Sequence, residues 1–201
     1  MTKGKYELMK TICIFCGSAD GIQAHFRLAA REMGRILAEN GFGLVYGGGK
    51  TGLMGDVADG ALEAGGEVVG VITEAMNTPA LAHAGLTRLE VTETIHARKA
   101  RMHALSDGFI ALPGGYGTLD ELFETITWAQ IGIHEKPIGL LDTQRYYRPL
   151  LALVDHAERE GFIFPEHRHI IVHDEDPRKL LEKMKNHQHP KEAVRRWMRE
   201  A

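Results

Sequence analysis

Residues 107–126 constrain the fold of this chain more than any other stretch. Asp107-Gly-Phe-Ile-Ala-Leu112 is a short apolar run, the pattern of a buried strand. Pro113-Gly-Gly-Tyr-Gly117 follows as a turn, and Leu122, Phe123, Ile126 and Ile133 then recur at helical spacing. A strand that feeds a helix through glycines receives a phosphate well. Glycines let the backbone approach an anion, and a helix N-terminus offers unpartnered N–H groups and a partial positive charge. The turn Gly114, Gly115, Tyr116, Gly117, Thr118 is therefore a candidate substrate-binding site, and Glu121, one turn further in, can point back at it. Thr118-x-x-Glu121 has a second reading as a capping box, which would only satisfy helix-end donors. The glycines packed before it favour the anion site, because a cap does not need them.

The same alternation runs along the whole chain. Strands are predicted at 11–17, 43–46, 67–72, 89–94, 107–112, 137–141 and 170–173. Helices are predicted at 23–40, from Gly52 to Ala64, 96–105, from the glycine turn to Ile133, 147–160 and 177–185. Residues 73–87 read as irregular, with Asn77, Pro79 and Gly85 as breakers. Short apolar strands separated by helices imply an α/β fold: a Rossmann-like, doubly wound parallel sheet covered on both faces. Such sheets bind ligands at the carboxyl ends of their strands, where the glycine-rich turns fall. At 201 residues the chain forms a single domain. A polar segment (1–10) precedes it, the domain spans 11–186, and a charged tail (187–201) with two histidines follows, expected to be solvated.

Composition excludes several classes. A net charge of −3 gives no general pull on nucleic acid or an acidic membrane. The apolar runs are too short to span a bilayer, and Met1–Lys10 has no signal-peptide core. Cys13 and Cys16 have C-x-x-C spacing, but Ile12-Cys-Ile-Phe15 reads as a strand, whereas a redox site needs its first cysteine at a helix start. A reduced, cytoplasmic protein is expected. His96 and His103 have no ligand-spaced partners, so no metal is expected.

Gly47-x-Gly49-x-x-Gly52, with Glu74 further on, fits a dinucleotide fingerprint, but it follows the second strand rather than the first. Gly49-Lys50-Thr51 echoes a P-loop, yet Leu44 stands where that motif needs its first glycine. Ser18 ends the first strand and can donate a hydroxyl to a ligand or to its own turn. Arg98 and Lys99 open the helix before the central strand, on the same side of the sheet as the glycine turn. There they could clamp a phosphate or neutralise a departing base. Taken alone, Arg98, Lys99 and Arg101 also fit a solvated helix face. A phosphate site, one carboxylate and one arginine are parts for cleaving the glycosidic bond of a nucleotide, whose transition state is oxocarbenium-like. Other reactions fit the same parts.

Pro113-Gly-Gly-Tyr-Gly-Thr-Leu-Asp-Glu121 resembles the PGGxGTxxE motif of the LONELY GUY family, the cytokinin riboside 5′-monophosphate phosphoribohydrolases. The likeness runs from about Thr11 to Met184. It includes Phe15-Cys-Gly-Ser18, Val45-Tyr-Gly-Gly-Gly49, Gly52-Leu-Met-Gly55, Arg98-Lys99, Ile126-Thr-Trp-Ala-Gln130, Gly139-Leu-Leu141 and His169-Ile-Ile-Val172. The resemblance implies hydrolysis of N6-modified adenosine 5′-monophosphates, and of AMP in many bacterial members, to free base and ribose 5-phosphate. It implies no cofactor and no metal. Arg98 and Glu121 are the implied catalytic pair. Gly115, Gly117 and Thr118 would hold the phosphate, with Lys99 nearby, and Thr127 matches a nucleotide-contacting threonine. The partner is the nucleotide itself, and a homodimer with sites near the subunit interface is implied. An older family label, lysine decarboxylase, is not supported, because no lysine lies in a pyridoxal-binding context. Asp120 replaces a common glutamate, and Ile95 stands where methionine is usual. Ala80 stands where the family often has a nucleotide-contacting glutamate, so no base contact carries over there. A non-catalytic nucleotide carrier or sensor is the alternative reading.

Overall fold

The computed structural model describes residues 9–19, 21 and 23–190. Most of the polar segment 1–10 and of the tail 187–201 therefore lies outside the described residues. Seven strands form one all-parallel sheet: β1 (Thr11–Phe15), β2 (Gly43–Tyr46), β3 (Val68–Thr73), β4 (Arg88–Thr92), β5 (Gly108–Ala111), β6 (Ile138–Leu141) and β7 (Ile171–Asp174). Their order is β4-β3-β2-β1-β5-β6-β7. The chain steps outward from β1 to β4, then crosses back to lay β5 on the other side of β1. Ile12 is in register with Leu44 of β2 and with Gly108 of β5. The order reverses between β1 and β5, and such a switch opens a crevice at the carboxyl edge.

Six helices cover the sheet: α1 (Ala24–Glu39), α2 (Gly52–Glu63), α3 (Ile95–Ala104), α4 (Tyr116–Gln130), α5 (Arg148–Arg159) and α6 (Pro177–Lys185). Alternation along β1 divides the core. Ile12 and Ile14 pack with Met33, Leu37, Val57, Leu180 and Met184 from α1, α2 and α6. Cys13 and Phe15 face Met102, Leu122 and Leu151 from α3, α4 and α5. Both sides of each inner strand are buried, which is why those strands read as continuous apolar runs. The helices α1 and α2 meet backbone to backbone, since a Cβ on Gly34 would overlap the Val57 carbonyl and one on Gly60 the Arg31 carbonyl.

The observed elements match the expected ones closely, with three instructive differences. First, α4 stops at Gln130 instead of Ile133. Gly132 takes φ 80°, its N–H bonds the Ala129 carbonyl, and the Ile133 N–H reaches back to the Trp128 carbonyl. That is a Schellman closure, and it takes Ile133 out of the helical stripe to lie 61% exposed. Second, the segment 73–87 is not wholly irregular. It holds a short 3-10 turn at Glu74–Met76 and an antiparallel bridge between Gly49 and Ala82. Third, the tail does not begin in solvent, because His187 and His189 are buried.

Candidate active site

The crevice between β1 and β5 holds a cavity of about 400 Å³. Three strand-end loops supply its polar rim: Cys16, Gly17 and Ser18 after β1; Gly47, Gly49 and Thr51 after β2; and Gly115, Tyr116, Gly117 and Thr118 after β5. Glycines let these loops touch. A Cβ on Gly52 (φ 61°) would run into the Ser18 backbone, and one on Gly114 would overlap the Thr118 hydroxyl and press on the Gly17 amide. Met54, Ile72, Met76, Leu81 and Ile95 make an apolar wall.

The helix α4 opens into this cavity with Gly115 as its N-cap and no side chain capping it. Its first intrahelical bond runs from the Leu119 N–H to the Gly115 carbonyl. The N–H groups of the first turn are thus without helical partners, as an anion site requires. The capping-box reading of Thr118-x-x-Glu121 falls here. Thr118 is the third residue inside the helix, not its cap, and its hydroxyl lies in the cavity wall.

Glu121 lies one turn deeper, also in the wall. Its Oε1 accepts from Arg98 Nη1 at 2.9 Å, and both side chains are at most one-tenth exposed. Arg98 comes from the first turn of α3, a helix capped by the Thr94 hydroxyl, which accepts from the Ala97 N–H. Its Nε donates to the Val71 carbonyl at 2.8 Å, which fixes the guanidinium against the end of β3. Burial pushes the Glu121 carboxyl above its ordinary pKa, and the Arg98 guanidinium opposes that rise. Behind Glu121, the Thr125 hydroxyl donates to the Glu121 carbonyl at 2.7 Å and accepts from His103 Nε2 at 2.9 Å. Burial drives His103 down to about 3, so its imidazole is neutral at ordinary pH.

The structure gathers Arg98, Glu121, Ser18, Gly115, Tyr116, Gly117 and Thr118 around one cavity. It turns two other candidates away. Lys99 is buried, but its ammonium bonds Asp120 Oδ2 at 2.9 Å and Glu124 Oε1 at 3.1 Å, outside the cavity lining. Adjacent helical residues point about 100° apart, and here Arg98 faces the cavity while Lys99 faces Asp120 and Glu124. Thr127 lies on the exposed face of α4 and donates to the Phe123 carbonyl, also outside the lining. Gly114 supports the turn from beneath rather than lining it. The solvated-face reading holds for Arg101, which is exposed and pairs with Glu90. Glu74 and Ala80 are exposed and outside the lining as well. Sequence reasoning missed the apolar wall. Met76 and Leu81 lie in the segment without periodicity, and the Gly49–Ala82 bridge that draws it to the cavity leaves no sequence signal. Among the described residues, no group of three or more His, Cys, Asp or Glu could hold a metal ion.

The family profile described as "Possible lysine decarboxylase" matches residues 54–184. The cytokinin riboside 5′-monophosphate phosphoribohydrolase of Rhodococcoides fascians is 48% identical over 164 residues, covering 81% of this chain and 83% of that protein. Its namesake from Arabidopsis thaliana is 45% identical over 178 residues, covering 89% and 84%. The chain belongs to the LONELY GUY family. The profile's wording fits this cavity poorly, since no lysine lines it. The LONELY GUY chain also shares its fold with a molybdenum cofactor binding protein of Rippkaea orientalis. That structure aligns with a TM-score of 0.67 at 24% identity, over 88% of this chain and 96% of that one. The likeness is one of fold alone.

Proposed function

We propose that this protein hydrolyses the N-glycosidic bond of adenosine 5′-monophosphates, N6-modified or unmodified, releasing free base and ribose 5-phosphate. The observation that carries the reading is the Arg98–Glu121 pair, 2.9 Å apart and buried one helical turn from an uncapped helix N-terminus in the same cavity. The 5′-phosphate sits on the first turn of α4 with the hydroxyls of Ser18 and Thr118. The ribose lies over Glu121, and the base meets the apolar wall. As the C1′–N9 bond breaks, its electron pair leaves with the base and positive charge grows on the ribose. The Glu121 carboxylate stabilises that charge or orients the attacking water. Arg98 keeps Glu121 ionised against its burial and presents positive charge to the phosphate or the departing base. Water forms the new bond to C1′, and its proton ends on the base.

The relatives' names support the substrate class. The same reading takes the enzyme as a cytoplasmic homodimer. Two buried free cysteines suit a reducing compartment, and no helix among the described residues is long and apolar enough to cross a membrane. Tyr116 (94% exposed) and Phe123 (42%) sit seven residues apart on α4, on one face, which supports a second copy packing there. The test is base release from AMP and isopentenyl-AMP by purified protein. Release is expected from at least one, and Glu121→Ala and Arg98→Ala are each expected to abolish it without unfolding the protein. Near-normal rates in either variant would sink the assignment. Nucleotide binding without release in the native protein would leave a carrier or sensor.

A further inference from the structure

The turn before α4 contains a Gly114–Gly115 peptide, the kind of unit that flips most easily, since neither residue carries a Cβ to bias it. Its orientation decides the site. A peptide is planar, so its carbonyl oxygen and its N–H point in opposite directions. If the Gly114 oxygen turned into the cavity, it would repel a phosphate and withdraw the Gly115 N–H from it. Something must hold that plane, and α4 has no capping side chain to do so.

The hold comes from the far side of the sheet's switch point. After β6 the chain makes a tight turn at Thr143–Arg145, in which Gln144 (φ 52°) and Arg145 (φ 60°) are both left-handed. Two successive non-glycine residues in that region are costly, roughly 1 kcal/mol or more each, and persist only where the surroundings impose them. The turn delivers two tyrosines to the phosphate loop. The Tyr147 hydroxyl donates to the Leu112 carbonyl at 2.5 Å, and the Tyr146 hydroxyl donates to the Gly114 carbonyl at 2.6 Å. Between them, the Pro113 carbonyl accepts from the Gly17 N–H at 3.0 Å. Three successive carbonyls are thus tied back. Tyr147 is fully buried, and its bond belongs to the core. Tyr146 is 41% exposed, stands edge-on to Phe26 and Tyr147, and places its hydroxyl on the peptide that carries the N–H of Gly115, a residue of the cavity lining.

We propose that Tyr146 is a positioning residue for substrate phosphate: its hydroxyl locks the Gly114–Gly115 peptide with the N–H directed at the anion site. Tyr146 is outside the cavity lining and acts through the turn alone. The inference rests on the phosphate being held by the first turn of α4. It adds a residue more than 20 positions beyond the glycine motif to the binding machinery.

Tyr146→Phe keeps the ring packing and deletes the hydroxyl. Loss of one such bond corresponds to roughly three- to tenfold in an equilibrium constant. The variant is therefore expected to bind ribose 5-phosphate roughly three- to tenfold more weakly by calorimetry and to raise KM for isopentenyl-AMP by a like factor. Its kcat should stay at the native value, and its melting temperature should fall by no more than the few degrees that one partly exposed hydrogen bond is worth. Unchanged ribose 5-phosphate affinity and KM would overturn the proposal. So would a fall in kcat together with melting temperature, the mark of a merely structural tyrosine. The calorimetry separates this inference from the hydrolase reading. A native protein that binds ribose 5-phosphate but releases no base loses the hydrolase reading and leaves the Tyr146 comparison intact. A native protein that binds no ribose 5-phosphate removes the phosphate site and this proposal with it.

Discussion

At the scale of single residues, the three glycines of the central turn divide by what a methyl group would meet. At Gly114 a Cβ collides with Thr118 and the Gly17 amide, whereas at Gly115 and Gly117 it meets nothing within 4 Å. Gly114 is therefore needed by the fold, whereas no packing contact requires Gly115 or Gly117, as the proposed phosphate site would have it. Gly114→Ala is expected to destabilise the protein, by about 1–3 kcal/mol, as overpacking does. Gly117→Ala should do the reverse. It lies within α4, where alanine is favoured by roughly 0.5–1 kcal/mol over glycine. A variant that melts higher yet shows a raised KM would bear this out, and one with unchanged KM would place the phosphate elsewhere. Glu121 carries a second expectation. Burial outweighs Arg98 and raises the Glu121 carboxyl above the ordinary 4.5, and the proposed mechanism uses the ionised form. Activity should thus rise with pH through that raised value, so the acid limb of kcat/KM lies above 4.5. A limb at or below the ordinary carboxylate range would mean that Glu121 is not the titrating group.

At the scale of elements, α3 and α4 bring the two charged groups together, and Thr125 adds a second buried link between those helices. Its one hydroxyl proton goes to the Glu121 carbonyl, so the His103 contact must be a donation from Nε2. Thr125→Val keeps the shape and leaves the His103 N–H without its acceptor in a buried place. The expected cost is about 1–3 kcal/mol in urea unfolding, and a variant as stable as the native chain would show that the link is idle. Sequence reading reached these elements unevenly. The unit β5–turn–α4 was legible because hydrophobic spacing changes there from a continuous run to a helical period, with glycines at the junction. The direction of Lys99 was not legible, because its place at the carboxyl edge of the sheet does not tell that its ammonium turns to Asp120 and Glu124. The turn at Gln144–Arg145 carries no glycine or asparagine to mark its left-handed backbone, so the delivery of Tyr146 and Tyr147 to the phosphate loop could be found only in three dimensions.

At the scale of the whole molecule, the alternation of strands and helices announced the parallel sheet, but not where it reverses. That reversal between β1 and β5 puts the loops after β1, β2 and β5 around one cavity although they are some 30 and 60 residues apart in the chain. The outer surface was less legible still, because an apolar residue facing a second copy has the same sequence period as one facing the core. Phe123 fits the helical spacing that predicts α4 as well as the buried Leu122 does, yet it is 42% exposed, and Tyr116 is almost wholly so. A helix that shows apolar side chains on both faces, one against the sheet and one outward, is suited to lie between two protomers. If α4 lies at a homodimer interface, Phe123→Glu buries a charge against an apolar partner face, and the penalty falls on association rather than on folding. Sedimentation should then show a dimer for the native chain and a monomer for the variant, with unchanged circular dichroism in both. A variant that stays dimeric would remove the outer face of α4 from the interface, while a native protein that sediments as a monomer would remove the dimer itself.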